Sequence, residues 1–171
     1  MESKAKVMGH AIHPILIVFP LGLLSASVLF DITYLITDNR AFALVSFWTI
    51  VGGLLGGLIA AVPGWIDWFA IASDTRAKRV GLVHGVGNVV VLILFALSWL
   101  FRRDEADYLP SLVALGSSFA GFLLAAITGW LGSELVERLG VAVDDHANLN
   151  APSSLSGRSA ADAQQIRHSV N

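Results

Sequence analysis

The residues of this 171-residue chain best suited to chemistry are a few histidines with carboxylates and an amide near them. His10 and His13 stand three apart just before Pro14, and Asn88 follows His84 by four residues, a spacing that puts both on one helix face. Trp65 and Asp67 lie close together in one segment, and Trp130 and Glu134 in another. Imidazole nitrogens ligate haem iron or a bare transition metal, carboxylates join them around zinc, iron or manganese, and an amide orients a ligand from behind. The chain has no cysteine, which excludes disulfides, thiolate-bound zinc, cysteine-held iron–sulfur clusters and haem attached through C-x-x-C-H. Any metal is therefore left to His, Asp, Glu or backbone. No G-x-S-x-G elbow, H-E-x-x-H helix or phosphate-cradling loop is present, so hydrolase chemistry has no support.

The elements that must position these groups follow from composition. With 55% hydrophobic residues, 14% charged and a mean hydropathy of +0.69, the chain is too apolar for a soluble domain, where charged residues run at about 25%. A net charge of −2 lacks the basic field that displaces counterions from phosphates, so nucleic acid is not a partner. Four segments reach the roughly 20 apolar residues that cross a bilayer: Ile15 to Ile36, Phe42 to Ala72, Val80 to Phe101 and Leu109 to Leu135. Unpaired backbone polar groups are not tolerated in lipid, so the spans are helices, and the short polar connections make neighbours antiparallel. The expectation is an all-α, four-helix membrane bundle over residues 1–145, with a polar and mobile tail over 146–171. The first apolar stretch is longer than a signal-peptide core and no small-residue cleavage site closes it, so it reads as a retained span.

The side with both ends of the chain carries Lys4, Lys6, Arg76, Lys78, Arg79, Arg138, Arg158 and Arg167, against Arg40, Arg102 and Arg103 on the other. Eight against three, or six against three without Arg158 and Arg167, places both termini in the cytoplasm by the positive-inside rule. The same end gathers His10, His13, Trp65, Asp67, His84, Asn88, Trp130 and Glu134, whereas the far end offers mainly Asp31 and loop charges. Polar groups inside a membrane are costly and point to function by default, although His84 also reads as an interfacial histidine bonded to a neighbouring helix. Asp31 reads as a hydrated interfacial residue, and Asp144, Asp145 and His146 as solvated tail charge. His13 before Pro14 reads as a helix cap, and Pro20 and Pro63 as packing irregularities. Asp67 and Glu134 sit near helix C-termini, where a carboxylate needs a cation or donor to offset the dipole; a metal, Arg76, Lys78 or Arg79 would serve.

An internal echo sharpens this picture. A shift of 65 residues lays Gly56, Ala60, Ala61, Gly64 and Trp65 on Gly121, Ala125, Ala126, Gly129 and Trp130, giving spans two and four a stripe of small residues for close packing. Related hairpins running in the same sense imply a pseudo-two-fold axis along the membrane normal, with spans one and three equivalent. His13 and His84 are then counterparts, at a shift of 71.

Gly9-His10-Ala11-Ile12-His13-Pro14, Phe19-Pro20-Leu21-Gly22-Leu23, Asp31, Gly64-Trp65-Ile66-Asp67, His84-Gly85-Val86-Gly87-Asn88 and Gly129-Trp130-Leu131-Gly132-Ser133-Glu134-Leu135 together resemble the bacterial membrane family "domain of unknown function 2231". The resemblance covers about residues 8 to 145. Ala11 stands where related sequences often show proline, which relaxes the entry turn. The resemblance implies a four-span membrane domain without an established activity. The joining of some relatives to Rieske-type or cytochrome c domains implies membrane redox chemistry.

Three functions compete. The first is a b-type haem protein of the bacterial inner membrane, an electron carrier rather than an enzyme, with His13 and His84 as axial ligands. Small residues would make room for the macrocycle, Trp65 and Trp130 would pack on its edge, Lys6, Arg76, Lys78 or Arg79 would pair with propionates, and redox proteins would be partners. The second is a bare transition-metal site built from His10, His13 and His84 with Asp67 or Glu134, and Asn88 behind them. The third is an assembly subunit without cofactor, its glycine stripes packed on a larger membrane complex; an oligomer of the chain, forming a channel, is a separate alternative. Transport is less favoured, since buried charges are few and no pair of broken helices is evident.

Overall fold

The computed structural model describes residues 1–162. A two-residue hairpin, β1 (Lys6–Val7) paired with β2 (His10–Ala11), opens the chain. Its turn residues Met8 and Gly9 have φ of 49° and 83°, a left-handed pair in which glycine is the residue without steric cost. Five helices follow: α1 (Ile12–Leu16), α2 (Val18–Thr37), α3 (Arg40–Ala70), α4 (Arg76–Leu100) and α5 (Leu112–Glu137). Helices α1 and α2 form one span interrupted at Ile17. Pro20 has no N–H to give the Leu16 carbonyl, so the ladder breaks there.

Side-chain caps fix the remaining starts. Asn39 accepts from the Ala41 amide, Thr75 from Lys78 and Ser111 from Ala114, each satisfying a donor that the first turn leaves orphaned. His13 is not a cap: α1 starts one residue earlier from Ala11, and Pro14 fits because amides in the first turn need no helical partner.

Ile12–Thr37, Arg40–Ala70, Arg76–Leu100 and Ala106–Glu137 are each long and apolar enough to cross a membrane, and the molecule is an integral membrane four-helix bundle. Their outer faces expose Leu29, Leu58, Ile59, Val62, Phe69 and Leu123, the sheath that lipid covers. Inside, Leu24, Val28, Ile50, Val91 and Phe95 form the core.

The two hairpins, α1–α2 with α3 and α4 with α5, repeat each other in side-chain detail. A Cβ on Gly53 would strike Leu24 and one on Gly121 would strike Phe95; one on Gly64 would strike His13 and one on Gly132 would strike His84. The matching positions of α3 and α5 are thus 68 apart, Gly53 with Gly121 and Gly64 with Gly132, and not 65 as the small-residue pattern suggests. Three residues is nearly one turn of about 3.6 residues, so a stripe of small residues almost repeats under that slip. Much of the stripes is filled inside the bundle, Gly56 receiving Phe19 and Pro20 and Gly121 receiving Phe95, while nothing lies within 4 Å of a Cβ on Gly129; the neighbouring Gly53 and Gly57 receive Leu24 and Leu92.

After α5 the chain turns at Gly140, and farther on Ser154 lies against Gly9 of the N-terminal hairpin. The last part of the tail, 163–171 with Arg167, lies outside the described residues.

Candidate functional site

The first turn of α1 carries His13 and the third turn of α4 carries His84, and the bundle brings the two rings together at 6.4 Å between centroids, with planes at 89°. Each is held in the same way. His13 Nδ1 lies 2.8 Å from the Ala60 carbonyl on α3, and His84 Nδ1 lies 2.8 Å from the Thr128 carbonyl on α5. A carbonyl only accepts, so both Nδ1 atoms carry a proton, and in the neutral imidazole the lone pair then stands on Nε2. That is the arrangement of a histidine prepared to ligate, its far nitrogen fixed by a backbone oxygen. Gly64 and Gly132 make it possible, since a Cβ there would come within 2.9 Å of the His13 ring and 3.0 Å of the His84 ring.

Around the rings lies a cavity of about 520 Å³, within the usual range of ligand pockets at about 300–1,000 Å³. Its walls are mostly apolar, from Ile17, Leu21, Leu92 and Phe122, with Ala125 and Gly129 leaving it wide on the α5 side and Trp65 closing one flank. With Ser25, Thr128 and Ser133, Asn88 is one of its polar members. Its Nδ2 lies 3.0 Å from the His84 carbonyl and 3.2 Å from His84 Nε2, and its Oδ1 accepts from Thr128 Oγ1 at 3.0 Å.

The other expected members lie elsewhere. His10 sits exposed on β2, its Nδ1 3.2 Å from the Met8 carbonyl, because the hairpin turns it out of the bundle. Asp67, 6% exposed, is occupied by the N-terminal strap: Ser3 Oγ donates to it at 2.7 Å, and the Lys4 and Ala5 amides at 2.7 and 3.3 Å. Those donors are the offset that its place near the end of α3 requires. Glu134 forms an ion pair with Arg76 at 2.7 Å. Among the described residues no group of three or more His, Asp or Glu side chains converges to hold a metal ion, so the set of His10, His13 and His84 with Asp67 or Glu134 is not assembled. Trp130 is 66% exposed and faces outward, leaving Trp65 alone of the two tryptophans on the cavity; at the true shift of 68 Trp65 matches Ser133. Of the basic residues expected near propionates, Arg76 is held by Glu134, Lys6 by Glu2, and Lys78 by the Trp68 carbonyl and ring face.

The far end holds a group that residue-by-residue reading missed. Asp31 and Arg102 are both fully buried and joined through two hydrogen bonds of 2.7 and 2.6 Å. Arg102 also donates to Ser46 and Ser98 at 3.1 and 3.0 Å, and Ser118 donates to Asp31 at 3.3 Å. One serine comes from each of α3, α4 and α5, and Asp31 itself from α2, so the pair fastens all four spans. Asp31 is therefore no hydrated interfacial residue. The available signal was the shift of 71 that matches His13 with His84: it also lays Ser27 on Ser98 and Asp31 on Arg102.

Fold and site define a four-span membrane protein with a pseudo-symmetric histidine pair in a lipid-level cavity near the end that carries its N-terminus. The chain belongs to the family described as "Predicted membrane protein (DUF2231)", whose model matches residues 9–145. No curated protein and no solved structure matches it.

Proposed function

We propose that this protein is a b-type haem-binding electron-transfer module, with His13 and His84 as axial ligands at the cytoplasmic side of the bacterial inner membrane. The supporting observation is the pair itself, two imidazoles brought together with Nδ1 of each bound to a backbone carbonyl. The two rings stand 6.4 Å apart between centroids on one cavity, so His13 and His84 are the residues that would hold the iron. Two side-chain donors suit haem, which brings four nitrogens of its own, better than a bare ion, which would need further ligands from the protein. Haem supplies reversible one-electron chemistry; the chain's part is to fix the rings, exclude water with apolar walls and leave room beside glycine and alanine. The cytoplasmic placement rests on the basic residues of the N-terminal end, and redox proteins of the membrane would be the partners.

The test is an absorption spectrum of the full chain purified after expression with ample haem. A Soret band is expected, absent in the double variant His13→Ala/His84→Ala. A wild-type preparation without haem absorption overturns the reading.

A further inference from the structure

The cavity beside the two histidines meets its surroundings on two sides, and the chain treats them differently. Toward the end that carries the N-terminus it runs up to Asp67 and Ile71 at the end of α3 and to Val141 and Ala142 after α5. Residues 1–5 cross between these two edges. The Met1 nitrogen donates to the Gly140 carbonyl at 3.0 Å, next to Val141. Two residues on, Ser3 Oγ and the Lys4 and Ala5 amides are fastened on the Asp67 carboxylate. Ser3 and Asp67 are 5% and 6% exposed, so this latch is sealed from water, and hydrogen bonds to an ionised carboxylate are the strong kind. Toward the hydrocarbon, among the described residues, no such strap crosses the cavity. Of the neighbouring spans α2 and α5 touch least, and the lining residues on that side, Leu21, Phe122 and Gly129, are themselves exposed. Nothing lies within 4 Å of a Cβ on Gly129.

We infer that this strap shuts the cavity to water and that its ligand enters sideways from the membrane, between α2 and α5, so that the ligand class is a molecule dissolved in the bilayer and not in the aqueous phase. The inference goes beyond the haem reading and needs no haem. Entry from the water side must break hydrogen bonds to a buried carboxylate and strand a hydroxyl and two amides. Entry from the lipid side exchanges one set of apolar contacts for another, which costs little. A molecule arriving that way meets the two imidazoles at the inner end of an apolar passage. Asp67 acts through the strap and is a positioning residue.

The chain has no cysteine, so Ala61→Cys, on the cavity wall next to the residue whose carbonyl holds His13, supplies a single thiol. Ser25→Cys, on the α2 wall, gives a second such reporter. The experiment treats the full chain, prepared without added haem in lipid nanodiscs whose two faces both meet water, with one of two thiol reagents. One is a positively charged methanethiosulfonate, confined to water; the other is N-phenylmaleimide, which partitions into lipid. N-phenylmaleimide is expected to label the thiol, and the charged reagent to leave it nearly untouched. Adding Asp67→Ala raises the charged reagent's rate at least about tenfold, the scale of one hydrogen bond to a charged group, and leaves the N-phenylmaleimide rate unchanged. Ser3→Ala, outside the spans, acts in the same direction by less. Gly129→Phe fills the lateral opening and slows N-phenylmaleimide alone. Charged labelling that neither Asp67→Ala nor Ser3→Ala accelerates overturns the strap. Absence of N-phenylmaleimide labelling, or a rate that Gly129→Phe does not lower, overturns the lateral route. Neither result bears on the Soret band, and a wild type without haem absorption leaves this inference standing.

Discussion

The bundle joins its two halves by one polar pair at each end, and the two pairs are finished differently. Eighteen residues separate His13 from Asp31, a rise of about 27 Å at about 1.5 Å per residue, so the pairs sit near opposite faces of a bilayer core about 30 Å thick. Asp31 and Arg102 are complementary charges, sealed from solvent and surrounded by serine hydroxyls from three helices. His13 and His84 are two like rings that border a cavity, each held through Nδ1 by a backbone carbonyl. Apart from Arg102 Nε, which is buried without a partner, the ion pair's hydrogen bonds are made; such a pair fixes a packing arrangement, and removing one partner strands the other. Rings that border a cavity do less for stability and are available to a ligand. One fold thus separates a lock from a site by a membrane thickness.

If this division is right, the largest effect on stability comes from the far end. Asp31→Leu strands the Arg102 guanidinium and should cost about 3–5 kcal/mol, and the double variant with Arg102→Met should recover most of it, as read from helical circular dichroism during unfolding in detergent. Recovery is the sharper half of that result, because it distinguishes a stranded charge from lost packing. A single variant as stable as wild type would break the comparison.

The next largest effects come from the glycines behind the rings. Gly64→Ala and Gly132→Ala push a Cβ to within 2.9 and 3.0 Å of the imidazoles and must shift them, an overpacking cost of about 1–3 kcal/mol together with weakened haem retention. Haem titration beside a melting curve reads both.

Smallest is Gly129→Ala. Nothing lies within 4 Å of a Cβ there, so the helix gains about 0.5–1 kcal/mol and haem binding is unchanged. This variant also discriminates between the two shifts of the repeat. At 65 residues Gly129 is the partner of Gly64 and its substitution should harm the site; at 68 the harm belongs to Gly132.

The sequence was most informative where one length scale decides the outcome. Four apolar stretches long enough for a bilayer, broken by short polar turns, leave little besides a four-helix bundle, and their ends lay within a few residues of the caps Asn39, Thr75 and Ser111. The apposition of His13 and His84 followed from topology alone. The remaining site residues were assigned by nearness to one end of the bundle, and that criterion was too weak. His10, Asp67 and Glu134 share that end, but local partners claim each of them: a hairpin, the Ser3 strap and Arg76. Trp130 was misplaced by the shift of 65, a slip that glycine and alanine conceal because they differ so little from one another.

Composition and hydropathy by themselves determined that this chain crosses a membrane four times with polar groups at both ends of the bundle, since apolar length is a sum over residues and needs no knowledge of neighbours. Only the tertiary structure decided which polar groups meet. Asp31 and Arg102 are 71 residues apart, and whether a buried carboxylate is hydrated, paired or stranded depends on contacts of a few ångströms that helix rotation sets. The same rotation turns Trp130 to lipid and the two imidazoles toward each other.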